Sequence, residues 1–220
     1  MNPKTKDPYM TKRIFATILG VVVCAISVGF FKAAAYGVDP FQAFMSGLDS
    51  LIPIQFGTLY VIANICLLSF SFFIDKHYIG LGTVINLFLT GYIAQFSRDC
   101  ILQITPEPGA GLRVGYLIFG IVLMCFSSAF YFTADLGVST YDAVALILSE
   151  KWKVASFKFC RIGCDLCCVI IGCVLFLLAG GKVSMIPTFA GIGTIITAFF
   201  MGPLIEFFNK IFARPFLGKN

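Results

Sequence analysis

Apolar residues fall in long runs separated by short clusters of Gly, Pro and charged residues. Six runs, at 14–36, 56–74, 79–96, 114–134, 157–178 and 188–208, are each 18 to 23 residues long. At about 1.5 Å of rise per residue, helices of that length cross a hydrocarbon core of about 30 Å. The pattern predicts an all-α membrane protein with six transmembrane helices, and strands are not expected at this length. Two shorter elements, 39–52 and 139–152, each follow a Gly-Val pair and are too short to span. In the first, Asp39 is placed to cap a helix starting at Pro40, with Phe41, Phe44, Met45 and Leu48 on a stripe opposite Gln42, Ser46 and Asp49. The second starts at Ser139, with Tyr141, Val144, Ala145 and Leu148 on the matching face. Each element either lies along the membrane interface or re-enters the membrane, and the sequence leaves both arrangements open. If they re-enter, their N-termini approach the midplane from opposite sides and offer unpaired N–H groups suited to an anion.

The chain also repeats itself. Laid on 113–148 without a gap, residues 13–48 match at 11 of 36 positions, among them Arg13/Arg113, Gly20/Gly120, Gly37/Gly137 and Val38/Val138. A second block aligns Gly80-Leu-Gly-Thr with Gly191-Ile-Gly-Thr. The expected organisation is one membrane domain made of a first three-helix repeat, 1–110, and a second, 111–220. An odd number of spans per repeat turns the second copy over relative to the first.

Composition agrees with a membrane setting, since 59% hydrophobic and 12% charged residues leave too little polar surface for a soluble domain of 220 residues. Mean hydropathy is +0.93. No cleavable signal peptide is expected, because the first apolar run lacks a small-residue cleavage site and is long enough to span. The net charge of +5 does not point to nucleic acid, because the basic residues sort by loop. With the N-terminus inside, Lys4, Lys6, Lys12, Arg13, Lys76, Lys151, Lys153, Lys158, Lys210, Arg214 and Lys219 face the cytoplasm, against Arg98, Arg113 and Lys182 outside. That bias places both termini of a multi-pass protein in the cytoplasm. The nine cysteines lie almost all in predicted helices, and Cys160, Cys164, Cys167 and Cys168 read as small core-filling side chains. Their spacing matches no zinc pattern, and no metal or cofactor is expected.

Ionisable residues inside a span suggest a functional site. Arg161 and Asp165 are placed to pair at i, i+4, and align with Tyr60 and Asn64 on the second span, so the two polar stripes are expected to face each other. Lys32 and Asp135 lie near the ends of the first and fourth spans. The candidate substrate-binding set is Arg161, Asp165, Lys32, Asn64, Tyr60, Asp135, Asp39, Asp142, Gly37 and Gly137. Each has a plainer reading: snorkelling for Lys32 and Lys158, a structural ion pair for Arg161 with Asp165, and helix caps or first-turn acids for Asp39 and Asp142. The Gly-x-Gly pairs read most simply as close helix packing.

These residues resemble the YczE/YyaS/YitT-type bacterial integral membrane proteins, whose halves carry a Leu-Gly-Val-x-Pro-x-Asp element and a later Gly-x-Gly-Thr. The resemblance covers nearly the whole chain. It is carried by Tyr36-Gly-Val-Asp-Pro-Phe-Gln42, Leu136-Gly-Val-Ser-Thr-Tyr-Asp142, both Gly-x-Gly-Thr copies and Arg161 with Asp165. Gln42 stands where the first element usually has an acid, and Thr140 where the second usually has proline. The resemblance implies membrane location and an inverted-repeat fold rather than a particular activity.

The leading functional expectation is a secondary-type transporter, in one direction an exporter, for a small anionic or zwitterionic molecule bound between the halves. Alternatives are a substrate-binding membrane subunit of a multi-component importer, and a non-transporting scaffold or regulator. An enzyme is not expected, because the only histidine, His77, lies outside the spans and no cysteine neighbours an evident base. The expected partners are the lipid bilayer, a small-molecule substrate and a second copy in a homodimer.

Overall fold

The computed structural model describes residues 9–218, apart from the side chain of Lys158. Expectations for Lys4, Lys6, Lys219 and the Lys158 side chain therefore fall outside the described residues. In chain order the helices are α1 (Met10–Ala34), the short α2 (Pro40–Leu51), α3 (Phe56–Ile74), α4 (Leu81–Ile104), α5 (Ala110–Ala134), the short α6 (Thr140–Leu146), α7 (Phe157–Leu178), α8 (Ile192–Phe208) and the terminal α9 (Arg214–Leu217). Tight 3₁₀ turns, Lys76–Tyr78 and Val183–Thr188, precede α4 and α8. A π-helical turn, Ile147–Lys151, prolongs α6, and another, Asn209–Ala213, joins α8 to α9.

Among the described residues, five stretches are long and apolar enough to cross a membrane: Met10–Ala34, Phe56–Ile74, Ala110–Ala134, Phe159–Leu178 and Val183–Leu217. The sixth predicted span forms α4, which at 24 residues has the length. Its hydropathy is lower because Asn86, Gln95, Arg98 and Asp99 interrupt the apolar sequence. Large apolar side chains such as Phe73, Ile104 and Leu178 stand mostly exposed on the outer faces of the helices, an arrangement that lipid tolerates and water does not.

Helices α1 and α5 form the centre of the bundle and run antiparallel, as two reciprocal contacts show. Arg13, at the start of α1, donates through Nε to Ala134 O at the end of α5, at 2.7 Å. Arg113, at the start of α5, donates through Nε to Ala34 O at the end of α1, also at 2.7 Å. In each arginine a second nitrogen reaches the next carbonyl, Asp135 O at 2.6 Å or Ala35 O at 2.9 Å. Each guanidinium thus satisfies two of the carbonyls a helix end leaves unpaired.

After these ends the chain turns sharply, through left-handed Ala35 and Asp135 (φ 51° and 53°) and then Gly37 and Gly137 (both φ 102°). Glycine is required at the second site by both conformation and space, since a Cβ on Gly37 would lie 2.6 Å from Gly191 N. The turn of the first half docks on the second half: Val38 N–H donates to Phe189 O at 3.0 Å, and Tyr36 O accepts from Gly193 N–H at 2.7 Å. The turn of the second half docks on the first: Val138 N–H donates to Tyr78 O at 3.1 Å, and Leu136 O accepts from Gly82 N–H at 2.7 Å. The Gly-x-Gly-Thr motifs form the receiving surfaces. Their threonines close the turn from within, Thr83 Oγ1 accepting from Gly80 N–H at 3.1 Å and Thr194 Oγ1 from Gly191 N–H at 3.2 Å.

The short helices start immediately after these turns. Asp39 caps α2 by accepting Gln42 N–H at 3.2 Å, and Ser139 caps α6 by accepting Asp142 N–H at 3.0 Å. Helix α2 packs on α7 where Gly47 meets Gly172, with room for no side chain on either. The tips of the two short helices meet: the Phe41 and Tyr141 rings stack with centroids 5.1 Å apart. Gln42, read from sequence as lying opposite the apolar stripe, is buried, because the tip of α2 is enclosed on both faces.

Candidate functional site

The tips of α2 and α6 close on a cavity of about 770 Å³ whose wall draws on every helix from α1 to α8. Of the ten residues predicted from sequence, Asp39, Tyr60, Asn64, Asp142, Arg161 and Asp165 line it. The other four do not. Lys32 places Nζ 3.0 Å from the centre of the Phe56 ring, because the last turn of α1 aims it toward α3 and away from the cavity. Asp135 is 77% exposed and pairs with Arg13 at 3.4 Å, since its left-handed backbone turns the side chain outward. Gly37 and Gly137 are consumed by the docking turns.

Within the cavity wall, Arg161 forms the expected i, i+4 pair with Asp165, Nε to Oδ1 at 3.3 Å. It also forms an ion pair with Asp142, on the tip of α6, that spacing along the sequence does not reveal. Its guanidinium lies 4.5 Å from the centre of the Tyr141 ring. Tyr141 in turn donates its hydroxyl to Asp165 Oδ1 at 2.6 Å, and Ser139 donates to Asp142 Oδ2 at 2.6 Å. Arg161 is therefore held on three sides by residues of α6 and α7. On the α3 side, Asn64 accepts from the Thr140 hydroxyl and donates to Tyr60 O at 2.8 Å. The α6 tip thus bridges the two polar stripes.

Several wall residues escape sequence reasoning. Glu206 lies inside a predicted span and is an ionisable residue of the kind that signals a lined interior. It pairs with Arg214 at 3.0 Å and Lys210 at 3.8 Å. Asn86 and Thr197 are mid-helix polar residues with a similar signal, and Asn209 follows directly on the last residue of α8. Gln42 is 3% exposed and its Oε1 has no hydrogen-bond partner among the described residues; Tyr131, 7% exposed, leaves its hydroxyl in the same state. Cys164 and Cys168 pack against the apolar cluster around Phe41, Met45 and Tyr60, in keeping with a filling role. Among the described residues no group of three His, Cys, Asp or Glu is placed to hold a metal.

A bundle of long apolar helices with exposed apolar faces and a charged interior defines a helical membrane protein. The chain belongs to the family of unknown function DUF6198, whose model matches residues 11–210. It is 23% identical over 191 residues to the uncharacterized membrane protein YczE of Bacillus subtilis, covering 86% of this chain and 81% of that protein. It is 22% identical over 202 residues to the uncharacterized protein YyaS of the same organism, covering 92% of this chain and 94% of that one. An uncharacterized protein of Haemophilus influenzae is 24% identical over 203 residues, covering 92% and 86%. No solved structure gives a significant match.

Proposed function

We propose that this protein is a secondary-type transporter, built from two inverted three-helix repeats with α4 as the sixth span, that carries a small charged molecule through the cavity between its halves. The observation that carries this reading is the cavity itself, about 770 Å³ with a wall drawn from both halves. That volume falls among small-molecule sites, which run from about 300 to 1,000 Å³. Support for the inverted halves comes from antiparallel α1 and α5 and from the reciprocal turns, the exchange of equivalent contacts that a pseudo-twofold axis produces. The cavity tells against a scaffold, whose helix interfaces would be filled. The held state of Arg161 favours a carrier over an enzyme, since its two aspartates neutralise it and are themselves engaged by Ser139 and Tyr141. Of the two substrate classes expected from sequence, the zwitterionic one has the better support, because the wall holds one basic residue and four acidic ones, Asp39, Asp142, Asp165 and Glu206. The basic loops orient both termini toward the cytoplasm of a bacterial plasma membrane.

The test is counterflow in proteoliposomes loaded with a mixture of zwitterionic amino acids, comparing the wild-type chain with Ser128→Trp, which fills the cavity from a half-buried position. Wild-type exchange is expected to be saturable and Ser128→Trp to abolish it at unchanged thermal stability. Flux no greater than in protein-free liposomes contradicts the transport reading.

A further inference from the structure

The two halves line the cavity with equivalent positions that differ in charge. In the second half, Arg161 sits between Asp142 and Asp165, against the Tyr141 ring. The corresponding positions of the first half hold Tyr60, Gln42, Asn64 and Phe41, none of which carries a positive charge. Yet the first half keeps a carboxylate there. Asp39 lines the cavity and, among the described residues, has no basic group within ion-pair distance. Three residues along the same helix tip, Gln42, 3% exposed, lines the cavity with Oε1 unpartnered among the described residues. A buried carbonyl without a donor is disfavoured, and a ligand N–H that reached it would satisfy it. Tyr131, 7% exposed, lines the same cavity, and its hydroxyl has no hydrogen-bond partner among the described residues.

Charge agrees. Glu206 is engaged by Arg214 and Lys210, which leaves three cavity carboxylates, Asp39, Asp142 and Asp165, against the single guanidinium of Arg161. An anion would meet this excess and find its natural partner, Arg161, already paired. A ligand with N–H donors and positive charge meets a carboxylate, a waiting carbonyl oxygen, and the aromatic rings of Phe41, Tyr60 and Tyr131. A metal ion is disfavoured, because no group of three ligating side chains is assembled among the described residues.

We infer that the cavity binds the protonated amine or guanidinium of an organic cation or zwitterion, with Asp39 as its charge partner and Gln42 Oε1 accepting a second hydrogen bond. The inference rests on reading the cavity as a ligand site, and it names the chemistry of the substrate. In it, the ligand supplies to the first half what Arg161 supplies to the second.

The experiment measures thermal unfolding of the detergent-purified full chain with increasing agmatine, ethanolamine or lysine, and with sodium acetate at the same ionic strength. At least one amine is expected to raise the unfolding temperature saturably, and acetate is not. Asp39→Asn, which keeps the helix cap, is expected to raise the apparent Kd roughly ten- to hundredfold. Gln42→Glu, which puts an acid where the second half carries Asp142, is expected to tighten binding, and the exposed Asp135→Asn to leave it unchanged. Stabilisation by sodium acetate alone, absence of saturable stabilisation by all three amines, or amine binding unchanged in Asp39→Asn overturns the inference. Amine binding without flux in proteoliposomes leaves this site standing and removes the transport reading. Protein-dependent flux of an acidic substrate with no amine binding does the reverse.

Discussion

Arg161 is held by two carboxylates and a tyrosine ring, so its first role is structural even where its second is to shape the cavity. Arg161→Gln leaves Asp142 and Asp165 without their shared partner, and a stability loss of about 1–3 kcal/mol is expected from an ion pair whose arginine is one-third exposed. The double variant Arg161→Gln/Asp165→Asn should recover part of that loss, because it removes one of the two stranded charges. Thermal unfolding in detergent checks both, and a single variant that unfolds at the wild-type temperature contradicts the structural role. At this scale sequence was informative about what lies on one helix and silent about what meets across helices. The pair Arg161 with Asp165 follows from helical period alone. The partnership with Asp142 crosses from α7 to α6 and has no periodic signature. Lys32 shows the converse: depth near the end of a span makes a lysine a site candidate, but depth does not say which way a side chain faces.

At the scale of elements, the turn after α1 and its counterpart after α5 carry the architecture. Arg13→Lys and Arg113→Lys should each cost about 1–2 kcal/mol, and by similar amounts, because a single ammonium cannot serve the two carbonyls that each planar guanidinium fork spans. Equilibrium unfolding measures this, and a silent variant at either position would refute the reciprocity. Gly37→Ala should cost about 1–3 kcal/mol, since φ 102° and the adjacent Gly191 backbone both exclude a side chain. A second clasp lies outside the spans, where the Tyr78 hydroxyl donates to Glu150. Burial first, and then the Glu150 carboxylate, push the Tyr78 pKa up to about 12. The neutral phenol is the form that folding favours, so the stabilisation is complete below about pH 10 and is lost as pH rises through about 12. The Gly-Val pairs and Gly-x-Gly-Thr motifs were visible in the sequence as a repeat. Their docking of one half on the other was not, because it runs through backbone N–H and C=O groups that every residue carries.

At the scale of the whole molecule, the account rests on two halves of opposite orientation enclosing one charged cavity. Composition and apolar runs made the membrane class legible, and α4 is the helix whose span hydropathy supports least, because polar residues interrupt it: Asn86 lines the cavity while Arg98 and Asp99 are exposed. The cavity could not be read from the chain, since it is enclosed by residues more than a hundred positions apart. The most direct test is the sidedness of equivalent positions. Thr11 and Gly111 are exposed at the starts of α1 and α5. In a chain whose nine cysteines are replaced, Thr11→Cys and Gly111→Cys are treated with a membrane-impermeant thiol reagent in right-side-out vesicles. Gly111→Cys is expected to react in intact vesicles and Thr11→Cys only after permeabilisation; reaction of both from the same side contradicts the inverted arrangement.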